Sequence, residues 1–169
     1  MIGDQWGVTA AEVARRYPCD DLVTDPALEA WRGVTAQAEV GRVWERVVQI
    51  RLAPYSYDWI DNVGRRSPRA LQGLPDPAVG DPFTAVGGRP SGRVVAVEAR
   101  HHLTATIMGA VMSYVLVDQG ASTRLLLKVV MRRGRGSRVL APLVSVGDLV
   151  MARRQLLNLA RLSECHLGL

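Results

Sequence analysis

The chain has 169 residues, 48% of them hydrophobic and 22% charged, which suits one packed domain and excludes a disordered or fibrous protein. A net charge of +5 raises the question of nucleic acid, but Lys128 is the single lysine, and GC-rich codon usage explains an arginine skew without any such partner. Cys19 and Cys165 stand far apart with no CxxC or Cys/His spacing, so neither a disulfide framework nor a zinc site is expected.

The opening Met1–Gly7 lacks the apolar core of a signal peptide, and no later stretch reaches ~18 unbroken apolar residues, so a cytoplasmic protein without stable membrane insertion is expected. Residues 1–30 read as a helical extension. Thr9-Ala-Ala-Glu12 matches a capping box and predicts a helix to about Arg16, stopped by Pro18. Cys19 to Pro26 reads as a connector, and Trp31 to Ala38 as a first strand.

Val40, Val43, Trp44 and Val47 follow helical spacing, with Glu39, Arg42, Glu45, Arg46 and Gln49 on the other side. Next comes the most distinctive stretch. Between Arg51 and Pro68 it gathers Tyr55, Tyr57 and Trp59 among Asp58, Asp61, Asn62, Arg65 and Arg66. Large amphipathic rings beside carboxylates and guanidiniums are the composition of a pocket mouth.

From Ser67 to Gly92 proline and glycine dominate, which leaves room for turns and one short strand at Phe83 to Val86. The turn at Gly87-Gly88-Arg89-Pro90 carries no phosphate-binding meaning, because no helix follows it. Strand patterns occupy Arg93 to Ala99, His102 to Met108, Met112 to Asp118 and Thr123 to Arg132, an antiparallel meander. Thr106 to Met112 joins two of these tightly, and Asp118 to Ser122 forms the last turn.

In the final strand Leu125, Leu127, Val129 and Met131 share one face, while Lys128 lies on the other. The basic run Arg132 to Arg138 reads as a solvated loop. A closing helix is predicted over Ser145 to about His166, within a C-terminal segment taken as 145–167, with Leu149, Ala152, Leu156, Leu159, Ala160 and Ser163 on one stripe and Arg153, Arg154, Arg161 and Glu164 on the other, solvent-facing side.

This order of elements is that of the helix-grip fold, and the motifs agree. Tyr17-Pro-Cys-Asp-Asp21, Trp31-Arg-Gly-Val34, Ala53 to Asn62, Gly64-Arg-Arg-Ser-Pro68 and Gly147 to Asn158 together resemble bacterial SRPBCC proteins, the START-like group that includes polyketide cyclases. The resemblance implies an α+β domain in which a curved antiparallel sheet wraps a long terminal helix around an internal cavity. Leu149, Ala152, Leu156 and Leu159 of the helix and Leu125, Leu127, Val129 and Met131 of the last strand would be walls of that cavity.

Function is less determined, because one fold serves cyclases, carriers and receptors. The leading expectation is a cofactor-independent cyclase, isomerase or dehydratase acting on a hydrophobic polyketide-like intermediate. The alternative is a carrier of a lipid or aromatic molecule that does no chemistry. The partner is a hydrophobic small molecule rather than nucleic acid, and a homodimer is left open.

In a catalytic reading Asp58 is the acid or base, its pKa raised by an apolar wall, with Tyr55 or Tyr57 hydrogen-bonding a carbonyl oxygen. In a structural reading Asp58 and Asp61 cap a turn or pair with Arg65 and Arg66. Arg51 would clamp a ligand oxygen or pair with one of these acids. Trp59, Asp61, Asn62, Tyr114, Met108, Met112, Leu127 and Leu156 complete the expected ligand contacts. His101 and His102 are adjacent on a strand, so at most one faces inward, which makes a metal site improbable.

Overall fold

The structure is a computed structural model describing residues 4–133 and 137–165, with side chains described over 4–133 and 150–165. The side chain of Leu149, residue His166 and the middle of the basic run (134–136) lie outside the described residues.

The elements are β1 (Gln5–Trp6), α1 (Ala10–Val13), β2 (Pro26–Ala36), α2 (Val40–Val48), α3 (Asp58–Asp61), β3 (Pro82–Val86), β4 (Arg89–Glu98), β5 (His102–Ile107), β6 (Ala110–Asp118), β7 (Thr123–Arg132) and α4 (Ser137–Glu164). Single 3-10 turns lie at Pro18–Asp21 and Gln49–Leu52. The strands form one curved sheet ordered β1-β2-β7-β6-β5-β4-β3, antiparallel except where β1 runs parallel to β2. With α4 across it, this is the α+β helix-grip architecture.

The capping box at Thr9 forms as expected: Thr9 N donates to Glu12 at 2.8 Å and Glu12 N to Thr9 Oγ1 at 3.2 Å. The helix nevertheless ends at Val13 rather than Arg16. The Tyr17 hydroxyl donates to the Glu12 carbonyl at 2.8 Å, which takes an acceptor the next turn would have used. Arg124 ion-pairs with the Glu12 carboxylate at 2.7 Å and fixes this turn to β7. That guanidinium holds the Glu12 carboxyl down at about 2.

β2 begins at Pro26, five residues before the expected start, because pairing with β7 from Arg132 onward supplies partners that local propensity does not reveal. The meander matches its pattern, and β7 occupies the expected Thr123 to Arg132. The tight link between β5 and β6 is a two-residue turn, Met108–Gly109, both at positive φ. That turn geometry fits the right-handed twist of hairpin strands.

α4 starts eight residues before the expected Ser145. Pro142 and Gly147 break the sequence pattern there without breaking the helix. α2 buries Val43, Trp44 and Val47 as its spacing requires. Arg46, placed on its solvent side by pattern, is buried as well, because its guanidinium reaches the Arg69 carbonyl at 2.7 Å.

Cross-strand register sorts the sheet into two faces. Leu125, Leu127 and Val129 of β7 stand opposite Leu116, Tyr114 and Met112 of β6, and this face packs against Leu156 and Leu159 of α4 and Val43 and Val47 of α2. Arg32, fully buried, donates to the Asp4 and Trp31 carbonyls at 2.8 Å each.

The other face carries Val111, Val115, Leu126 and Val130, covered by Tyr17, Cys19 and Val23 of the N-terminal segment. Lys128 lies here too. It pairs with Asp20 at 2.5 Å and Glu29 at 2.8 Å, beneath the Trp31 ring. Burial alone would lower the Lys128 pKa, but the bonds to Asp20 and Glu29 outweigh it and the pKa rises.

Candidate functional site

The middle of the sheet–helix interface is filled with side chains. Leu125, Leu127, Leu156 and Leu159, four of the wall residues named from the resemblance, are fully inaccessible to a water-sized sphere. Their neighbours are therefore protein atoms rather than an open chamber. Among the described residues, two hollows lie at the periphery and open to solvent.

The larger hollow, about 460 Å³, is lined by Pro82, Gly92, Arg93, Thr106, Ile107 and Met108 among others. Its one charged lining residue, Arg93, is already bonded to the Gly80 carbonyl at 3.1 Å. The smaller, about 310 Å³, is chemically richer. It lies between Trp6 of β1, Tyr57 ahead of α3, and Val150, Arg153, Arg154 and Leu157 of α4.

Those four α4 residues are spaced i, i+3, i+4, i+7 and form one stripe, distinct from the core stripe of Ala152, Leu156 and Leu159. The Arg153 guanidinium lies 4.8 Å from the Trp6 ring centre, and the Arg154 guanidinium 5.7 Å from that of Tyr57. Among the described residues neither arginine has a carboxylate partner. Two guanidiniums steadied by aromatic faces, with Val150 and Leu157 beside them, combine positive charge and planar hydrogen-bond forks with apolar surface.

The floor beneath Tyr57 is held by hydrogen bonds. Asn158 of α4 donates to the Tyr55 carbonyl at 2.9 Å, and Gln155 donates to the Pro54 carbonyl at 2.6 Å. Gln155 in turn accepts from the Tyr114 hydroxyl at 2.6 Å. Tyr114 thus points into the core, and its hydroxyl ends on α4.

Tyr55 is buried at φ 58, a left-handed conformation that costs a non-glycine residue about 1–3 kcal/mol. Its hydroxyl receives the Gln49 amide at 2.6 Å and donates to the Pro68 carbonyl at 2.7 Å, which locks the turn. Burial raises its pKa. The Tyr55 hydroxyl is thus part of the scaffold that sets the Tyr57 backbone.

Asp58 accepts from Ser67 N at 2.8 Å and Ser67 Oγ at 2.5 Å, closing the loop from 58 to 67. Asn62, also buried, donates to the Arg65 carbonyl at 2.7 Å and accepts from Gly87 N at 3.2 Å. Arg51 pairs with Asp81 at 3.3 Å rather than with Asp58 or Asp61.

Asp61 differs from these. Both its carboxylate oxygens are shielded from solvent and, among the described residues, lack a partner at hydrogen-bond geometry. Burial raises its pKa, while Ser56 and nearby backbone N–H groups pull the other way.

The remaining expected contacts scatter. Trp59 is 75% exposed and Met108 93% exposed, Met112 is half-buried against the core, and Leu127 and Leu156 lie within it. His101 is exposed, and His102 sits 3.8 Å from Glu98 with its pKa lowered by burial. Pattern reading assigned Arg153 and Arg154 to a plain solvent face and gave Trp6 no role. Their signal was Val150 and Leu157, two apolar residues framing the arginines at helical spacing.

No family model matches the sequence, and no curated protein matches it either. Solved structures do. A Mesorhizobium loti protein is similar at 16% identity over 79% of this chain and 95% of its own, with a TM-score of 0.53. A Nitrosomonas europaea protein is similar at 15% identity over 82% of this chain and 95% of its own, with a TM-score of 0.52. A Polyketide_cyc-like protein of Corynebacterium glutamicum follows at 13% identity, over 83% of this chain and 93% of its own, with a TM-score of 0.51. At such identities the likeness is one of fold.

Proposed function

We propose that this chain, which has the helix-grip fold of the SRPBCC, polyketide-cyclase-like proteins, binds an anionic small molecule with an apolar body in the groove between Trp6, Tyr57 and α4. The observation that carries this reading is the pair of guanidiniums of Arg153 and Arg154, without a carboxylate partner among the described residues and each on an aromatic face beside Val150 and Leu157. The arginines supply charge and planar hydrogen-bond forks, while the rings and aliphatic groups take the apolar part. A polyketide-like or lipid-like acid has this chemistry.

A second reading, catalysis, is favoured by Asp61 and Tyr57. The groove would hold a flexible chain in a near-reactive fold, which lowers a barrier by several kcal/mol without a cofactor. Tyr57 would donate to a carbonyl oxygen as it gains enolate character, and Arg154 would stabilise the developing charge. With the Asp58 carboxylate bonded to Ser67, this reading gives the proton-accepting role to Asp61, whose pKa burial raises, and requires the turn that holds it to open its shielded oxygens to the bound ligand. The outcome would be cyclisation, isomerisation or dehydration.

Native mass spectrometry of the purified protein, followed by extraction of bound ligand, tests both readings. An acid with an apolar body, lost on Arg153→Leu or Arg154→Leu, supports the groove. Unchanged ligand occupancy in both variants refutes it. Asp61→Asn then separates the classes, since a carrier keeps ligand unaltered and an enzyme keeps binding but stops turnover.

A further inference from the structure

The turn that follows Tyr57 places large apolar side chains in water. Trp59 is 75% exposed, Ile60 52% and Val63 72%, all within five residues. Val63 sits at φ 53, unfavourable for a β-branched residue, and the segment still presents its side chain to solvent. Its Cγ2 lies 3.0 Å from where a Cβ on Gly87 would be, so Val63 rests on the β3–β4 turn beside the partly exposed Val86. These four residues extend over two adjoining turns.

The charge around them has one sign. Arg65, Arg66, Arg69 and Arg89 are exposed, and the Arg65 guanidinium lies over Gly88 of the same turn. The acids of the segment face inward, with Asp58 bonded to Ser67 and both Asp61 oxygens shielded from solvent. The result is an exposed tip that combines a tryptophan and aliphatic groups with guanidiniums.

We propose that this tip docks peripherally on an anionic lipid surface, with Trp59, Ile60 and Val63 entering the headgroup–acyl boundary and the arginines meeting lipid phosphates. Tryptophan favours that boundary because its ring is apolar while its N–H stays hydrated, and each nearby cation adds attraction to anionic headgroups. So small an apolar patch ringed by arginines suits this occupant better than a protein partner, whose interface needs a broad complementary face. No helix among the described residues is long and apolar enough to cross a membrane, so the contact is one of docking. The inference is independent of the ligand reading, because bare vesicles provide the readout.

The test is flotation with vesicles of phosphatidylcholine alone or mixed with phosphatidylglycerol. The full chain is expected to partition about tenfold or more in favour of the anionic vesicles, less so as salt rises. Tryptophan emission should shift to the blue on binding, and Trp59→Ser should remove that shift and most of the partitioning. Arg65→Glu with Arg66→Glu should abolish the anionic preference. Equal binding to neutral vesicles, no binding, or binding indifferent to Trp59→Ser would overturn the proposal. So would self-association that Trp59→Ser abolishes with no vesicle binding, which would make the tip a subunit interface.

Discussion

Replacing Leu156 by alanine asks whether the space between sheet and helix is solid or hollow. Leu156 is fully buried on the core stripe of α4, within the cluster that includes Leu127 and Leu125. Removing its three outer carbons forfeits about 2.4 kcal/mol of transfer free energy at about 0.8 kcal/mol per carbon. Because close-packed neighbours relax only in part, the residual cavity raises the total to about 3–5 kcal/mol. In a domain of this size that lowers the melting temperature by roughly 6–20 °C, at about 2–4 °C per kcal/mol. Urea denaturation followed by circular dichroism gives the difference directly, provided the slope with denaturant is unchanged. If Leu156 instead lined a hollow, little packing would be lost on truncation. A measured loss under about 1.5 kcal/mol would falsify the packed interior.

Three further outcomes follow from the same contacts. Glu12, held at about 2 by Arg124, adds stability that is fully present above its ordinary 4.5 and lost as pH falls toward 2. The shift corresponds to roughly 3 kcal/mol, reduced by solvent at this rim to about 1–2 kcal/mol. Glu12→Gln should therefore lower stability by that amount at pH 7 and change little at pH 2, as acid and neutral melting curves would show. Asp61, with its pKa raised by burial, behaves oppositely: it favours the fold below the ordinary carboxylate pKa and opposes it as pH rises through its folded value. Asp61→Asn should thus stabilise the neutral-pH protein, and destabilisation there would show an unseen partner for the carboxylate. Asp58→Ala removes both Ser67 bonds and should cost about 2–3 kcal/mol, with faster proteolysis between residues 58 and 67. Undiminished melting temperature and protease resistance would return Asp58 to the role of a free acid.

Local pattern revealed much of the fold because most elements follow local rules. The alternation in β7 separated Leu127 from Lys128 across the sheet, and Val43, Trp44 and Val47 marked the buried face of α2. What pattern missed depends on distant partners. β1 is two residues long and exists through pairing with Trp31 and Arg32, and Arg46 is buried because Arg69 returns to meet it. The segment from Tyr55 to Asn62 was legible as chemically dense. The role of each polar group was not, since it depended on whether Ser67, Pro68, Gly87 or Asp81 would come within reach.

The groove at the rim is the central claim, and a two-dimensional NMR titration with 2-naphthoate, an aromatic carboxylate, addresses it most directly. The expected result is saturable shift changes at the Trp6 indole, Tyr57, Arg153, Arg154 and Leu157, with the methyls of Leu127 and Leu156 unmoved. Changes centred on Leu127 and Leu156 with the Trp6 indole silent would place the ligand in the interior and contradict it.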